Sequence, residues 1–101
     1  MEKGKVFTFV APQGVEVTAM AVMECDHEDY ECYGYHINIR WLCYAQNRLF
    51  TIHEILESHL EWDEETGEEH MGEEHKSYEY GEVVVEYAVI PEYDNILRES
   101  K

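Results

Sequence analysis

The chain has 101 residues, 45% of them apolar and 13% aromatic, with 23 Asp and Glu against seven Lys and Arg and a formal net charge of −16 at pH 7. That length fits one modest core, and the apolar and aromatic content excludes a disordered acidic tail, so a single domain spanning 1–101 is expected. The charge excludes direct binding of nucleic acid, since phosphates need clustered Lys and Arg, and its magnitude lies well above the roughly 2–8 at which a small soluble domain is comfortable.

In chain order, Val6–Val10 reads as a short strand closed by the turn residues Pro12-Gln13-Gly14. The apolar run around it is too short for a secretory signal, and no stretch approaches the roughly 20 apolar residues of a membrane span. Three cysteines are an odd number for a disulfide framework. The expected setting is a reducing cytoplasm, with no membrane contact.

Val15–Glu24 alternates, with Val15, Val17, Ala19, Ala21 and Met23 on one face, and forms a hairpin with the first strand. Asp26–Gly34 is polar and acidic and reads as a loop. Tyr35–Tyr44 is the clearest strand: Tyr35, Ile37, Ile39, Trp41 and Cys43 share one face, and His36, Asn38 and Arg40 point the other way. Thr51-Ile52-His53-Glu54 has the form of a capping box, and Ile52, Ile55, Leu56 and Leu60 follow at helical spacing, so a helix is expected to about Trp62. The competing reading is an extended 48–62 paired with 78–90 as a long hairpin. The segment 63–75 holds two Gly and no branched aliphatic residue, hence an exposed, mobile loop or hairpin. Tyr78–Ile90 is strand-like around Val83-Val84-Val85, and Pro91 opens a short helix through Arg98. The expected fold class is α+β, a mixed, mostly antiparallel sheet of about four strands with one or two helices on one face.

The acidic tract is the strongest functional signal. Between Arg48 and Lys76 there is no Lys or Arg, while Glu54, Glu57, Glu61, Asp63, Glu64, Glu65, Glu68, Glu69, Glu73 and Glu74 are all carboxylates. On a helix, Glu54, Glu57 and Glu61 would share one face about 5–6 Å apart, a mildly unfavourable arrangement and odd as decoration, the competing reading being a solvated acidic face with no role. Such a row offers a sparser version of the duplex phosphate field to an Arg- and Lys-lined groove. Tyr30 and Tyr33, interleaved with acids, join the expected contact surface, because tyrosine is favoured at binding hot spots. The expected partner-binding set is therefore Glu57, Glu61, Asp63, Glu64, Glu65, Glu68, Glu69, Glu73 and Glu74 with Tyr30 and Tyr33. Tyr78 and Tyr80 read as ordinary strand residues.

Cysteine and histidine form a second constellation. Cys25, His27, Cys32 and His36 fall within twelve residues, and zinc takes four soft or borderline ligands in a tetrahedron. The spacing C-x-H-x4-C-x3-H matches no standard finger or ribbon. Cys25 and His36 belong to opposite faces, so His70 or His75 from the acidic segment is the alternative fourth ligand. The competing reading is small core cysteines and surface histidines. No enzymatic activity is expected. His53-Glu54 is followed by His59 and not by a His at the spacing of H-E-x-x-H, and G-x-S-x-G, a P-loop, a dinucleotide fingerprint and C-x-x-C are all absent.

In size, acidity and lack of catalytic motifs the chain resembles phage-encoded inhibitors of bacterial defence, the DNA-mimic and anti-CRISPR proteins. The resemblance lies in charge and length over the whole chain. No motif carries it, and those proteins share no common fold. It implies an acidic inhibitor that occupies the basic nucleic-acid-binding groove of a partner, such as a Cas nuclease or another nucleic-acid-binding protein, with the acidic tract and nearby Tyr as the contact. A zinc ion bracing the inhibitor's loop is compatible with it. The alternative is a small zinc-binding regulatory domain without DNA mimicry, centred on Cys25, His27 and Cys32.

Overall fold

The computed structural model describes residues 1–100. They form β1 (Val6–Val10), β2 (Glu16–Glu31), β3 (Gly34–Ala45), β4 (Arg48–Trp62), β5 (Glu69–Met71), β6 (His75–Val85) and α1 (Pro91–Glu99). Every pairing is antiparallel. β1, β2, β3 and β4 lie side by side in sequence order, and β4 pairs further with β6 through Leu49–Glu57 and with β5 through Leu60–Trp62. The sheet curls until Phe7 and Phe9 of β1 meet Tyr78 and Tyr80 of β6, with ring centroids 6.1 and 6.2 Å apart. The result is a curled antiparallel half-barrel, 62% strand and 9% helix, and not the α+β fold of about four strands that the sequence suggests.

The predicted helix over 51–62 is the main correction. These residues make up most of β4, paired with β3 as far as His59, with β6 as far as Glu57 and with β5 from Leu60. A strand hydrogen-bonded on both edges and partly covered on both faces loses its two-residue alternation, so Ile52, Ile55 and Leu56 mimic helical spacing. Thr51 caps no helix. It is buried, and its Oγ1 accepts a hydrogen bond from the backbone N–H of Glu82 at 3.0 Å, across the sheet. The competing reading of a long hairpin between 48–62 and the segment after 75 is the one realised. Two smaller corrections follow. The expected loop 26–34 is mostly strand, because β2 runs on to Glu31. Val84 and Val85, whose apolar run reads as buried strand in the sequence, are exposed at the end of β6, where two register shifts interrupt the pairing with β4.

The core sits in the half-barrel: Phe9, Ala19, Ala21, Trp41, Cys43, Ala45, Phe50 and Ile52. Three alanines on the concave side leave room for the sheet to close around the large rings. On the convex side α1 covers Tyr44, whose hydroxyl donates to Asp94 at 2.9 Å and whose ring meets Tyr93 edge-on at 5.4 Å. No helix among the described residues is long and apolar enough to cross a membrane. The molecule measures 57 × 25 × 25 Å, because β2, β3, β4 and β6 continue past the core as a projecting arm.

Candidate functional site

The arm gathers what the sequence keeps apart. The register rows Tyr30↔His36, His36↔Glu57 and Glu57↔His75 place the end of β2, the start of β3, the second half of β4 and the start of β6 side by side. Residues 24–38 carry five carboxylates and residues 57–75 carry nine, so fourteen of the chain's 23 lie here, with no Lys or Arg in either segment and with five of the six histidines. Ile52 is level with Glu24 through Trp41. From there to Asp63, β4 rises about 36 Å at roughly 3.3 Å per residue. Fourteen carboxylates over that length is one per roughly 2.6 Å, against about 1.7 Å for duplex phosphates. The nearest cations are used at the root of the arm: Lys76 lies 3.5 Å from Glu54 and 5.6 Å from the centroid of the Tyr78 ring, and Arg40 is the register partner of Asp26.

Beyond the half-barrel, β4 and β5 form a hairpin whose tip is an ordered turn. The Asp63 N–H donates to the Glu68 carbonyl at 2.9 Å, the Glu65 N–H donates to Asp63 Oδ1 at 2.9 Å, and Gly67 N–H donates to the Asp63 carbonyl at 2.8 Å with φ +70°. Of the two readings of 63–75, the hairpin is the one formed. Glu64, Glu65, Glu68, Glu69, Glu73 and Glu74 are exposed along it, Asp63 is half-buried, and Glu74 accepts a hydrogen bond from the Tyr35 hydroxyl. Alternation puts Glu61 and His70 on one face, 3.4 Å apart, and Leu60, Trp62 and Met71 on the other. All three apolar residues are exposed, Trp62 to 62%. This exposed apolar face among acids is a feature that the helical reading of 51–62 hid.

The turn between β2 and β3 lies against β4. Tyr33 is 82% exposed at φ +53°, and its carbonyl accepts a hydrogen bond from the Leu60 N–H at 2.8 Å. Gly34 follows at φ +133°, and a Cβ there would stand 2.0 Å from the Ser58 carbonyl oxygen, so only glycine permits this approach. Tyr30 is exposed and donates to Glu28 at 2.8 Å, a bond that raises its phenol above the ordinary value.

The cysteine–histidine set of the sequence is dispersed. His27 stands opposite Ile39 on the core-side face, two register shifts in β2 cancelling in parity, while His36 is on the other face opposite Tyr30. Cys25 and Cys32 are free and exposed, and Cys43 is buried. His27 lies between Asp29 (Nε2, 2.7 Å) and Glu24 (Nδ1, 2.9 Å), and those hydrogen bonds, Asp29 first, raise its pKa. His70 meets Glu61, and His75 is the register partner of Glu57. Among the described residues one group of three has metal-ligating atoms within 4.8 Å of one another: His36, Glu57 and His59. His36 Nδ1 is 3.2 Å from Glu57 Oε2, and the two imidazole rings meet edge-on at 5.4 Å. His59 is the member that sequence reasoning missed. Its signal was the antiparallel register Gly34↔His59, legible only once 51–62 is read as a strand.

Glu54, counted with the acidic row in the sequence, is separate from it. It is 2% exposed under the core and binds the Met1 ammonium at 2.5 Å. Burial pushes its carboxyl up, but the Met1 ammonium and Lys76 outweigh that and hold it below the ordinary value. The buried Trp41 indole N–H adds a weak pull from outside hydrogen-bond geometry. No family model, curated protein or solved structure matches the chain, so the reading of this site rests on its own residues.

Proposed function

We propose that the protein is a binding inhibitor whose acidic arm enters the basic, nucleic-acid-binding groove of another protein, in the manner of a DNA mimic. The partner class implied by the sequence resemblance is a Cas nuclease, making this an inhibitor of the anti-CRISPR type that acts by occupancy and not by catalysis. One observation carries the reading: folding brings two acidic segments that hold no Lys or Arg, 24–38 and 57–75, onto one projecting arm, fourteen carboxylates in all, with Arg40 and Lys76 as the cations near its root. Like charges held so close cost stability, and an oppositely charged surface relieves that cost. The exposed Leu60, Trp62 and Met71 supply apolar contact within the acidic field, with Trp62 as the anchor.

The test is a five-fold reversal of Glu61, Glu64, Glu65, Glu68 and Glu69 to Lys, all exposed on the outer hairpin. Capture of basic nucleic-acid-binding proteins from a bacterial lysate at low salt, followed by gel-shift competition on the captured protein, reads the outcome. The parent chain should displace nucleic acid, and its binding should weaken steeply with salt, since opposed fields are screened beyond about 8 Å at physiological ionic strength. The reversed chain should fold and lose both activities. A folded reversed chain that captures and displaces as well as the parent would end the proposal.

A further inference from the structure

We propose that His36, Glu57 and His59 form a binding site for a divalent transition-metal ion, zinc foremost, on the outer face of the arm. The inference does not depend on the partner-binding reading. His36 and Glu57 are direct register partners across β3 and β4, and His59 lies two residues along β4 on the same face. Directly opposed side chains start from Cβ atoms about 4.5–5.5 Å apart, so the backbone of two paired strands holds the donors together before any ion arrives. Their ligating atoms already lie within 4.8 Å of one another. Donors on a common zinc at 2.0–2.2 Å, at tetrahedral angles, are separated by about 3.4 Å. The His36 Nδ1 to Glu57 Oε2 distance of 3.2 Å is near that spacing, and the His59 nitrogen, within 4.8 Å of both, stands at most about 1.4 Å beyond it, a shift that a side-chain rotation supplies. His59 is exposed and the other two are half-buried, so that rotation meets little packing.

The donor chemistry selects the ion. Two imidazole nitrogens and one carboxylate suit zinc and its neighbours, whereas calcium and magnesium take oxygen ligands almost exclusively. Three protein ligands leave the fourth position to water, with His75 beside Glu57 on the next strand. The surrounding carboxylates, with no Lys or Arg in 24–38 or 57–75, raise the local concentration of any cation. A bound ion would tie β3 to β4 within the arm, close to the turn that Gly34 fits against Ser58.

Zinc titration by calorimetry on the full chain tests the site, with Cys25 and Cys32 as the rival donors. The parent should bind one zinc, and tenfold more calcium should fail to displace it. His36→Ala combined with His59→Ala should weaken zinc binding at least tenfold, while Cys25→Ser combined with Cys32→Ser should leave it unchanged. In the unaltered protein, imidazole nitrogen NMR should show zinc shifting the His36 and His59 rings ahead of His27 and His70. Parent-like affinity in the double histidine variant, loss of zinc in the double cysteine variant, displacement by calcium, or zinc-induced shifts at other rings first would each overturn the proposal, as would a parent chain that binds no zinc.

Discussion

Glu54→Gln removes one charge from beneath the core while keeping shape. The Glu54 side chain is 2% exposed and the Met1 side chain 1% exposed, so the substitution leaves the Met1 ammonium, on a half-buried residue, without its counter-ion. Breaking one partner of a buried pair costs about 3–5 kcal/mol. Lys76, with 46% of its side chain exposed, is screened by water and adds little, which places the cost near the lower end. For a domain of about this size, a loss of about 3 kcal/mol lowers Tm by roughly 12–24 °C. The substitution should also change the acid limb of stability. Because the folded-state pKa of Glu54 is depressed, its contribution is fully present above the ordinary Glu value and is lost as pH falls through the folded value. Urea and thermal melts of parent and variant from neutral pH downward would show the parent losing stability across that window, with the two chains converging in acid. A variant melting within about 2 °C of the parent at pH 7 would refute the account of Glu54 as a paired buried charge.

Gly34→Ala should strain the β2–β3 turn at φ +133° and drive a Cβ into the Ser58 carbonyl, costing about 2–4 kcal/mol and raising hydrogen exchange at the Leu60 amide, which the Tyr33 carbonyl holds. A thiol reagent on the native protein should modify Cys25 and Cys32 but spare Cys43, whose thiol burial pushes up to about 12; mass spectrometry would count the labels. His27 should titrate above its ordinary value because Asp29 and Glu24 hold its protonated ring, and Glu24→Gln with Asp29→Asn should bring the NMR midpoint back down. Its contribution to stability carries the opposite sign from that of Glu54, present at low pH and lost as pH rises through the raised value.

Some of this protein was legible in the sequence by itself. The apolar alternation of Ala19 and Ala21 and of Trp41 and Cys43 names residues that the structure buries, with Val17 half-buried beside them, because a two-residue period with one face apolar admits one orientation only; Val15 and Met23, read on the same face, are exposed, Met23 beyond a register shift. Pro91 marked the start of α1, since its fixed φ suits a first helical turn. The absence of Lys and Arg across 49–75 was likewise plain. Tertiary structure decided the rest. Whether Thr51 caps a helix or receives an N–H from Glu82 depends on β6, more than twenty residues away, and local spacing cannot weigh a non-local partner. Pairing with β3 set His27 opposite Ile39 and His36 opposite Tyr30, on opposite faces of the sheet, which separates ligands that lie close in sequence. The pairing of β3 with β4 brought His59 to His36 and joined 24–38 to 57–75, so the acidic arm is a product of register, which exists only once the strands have met.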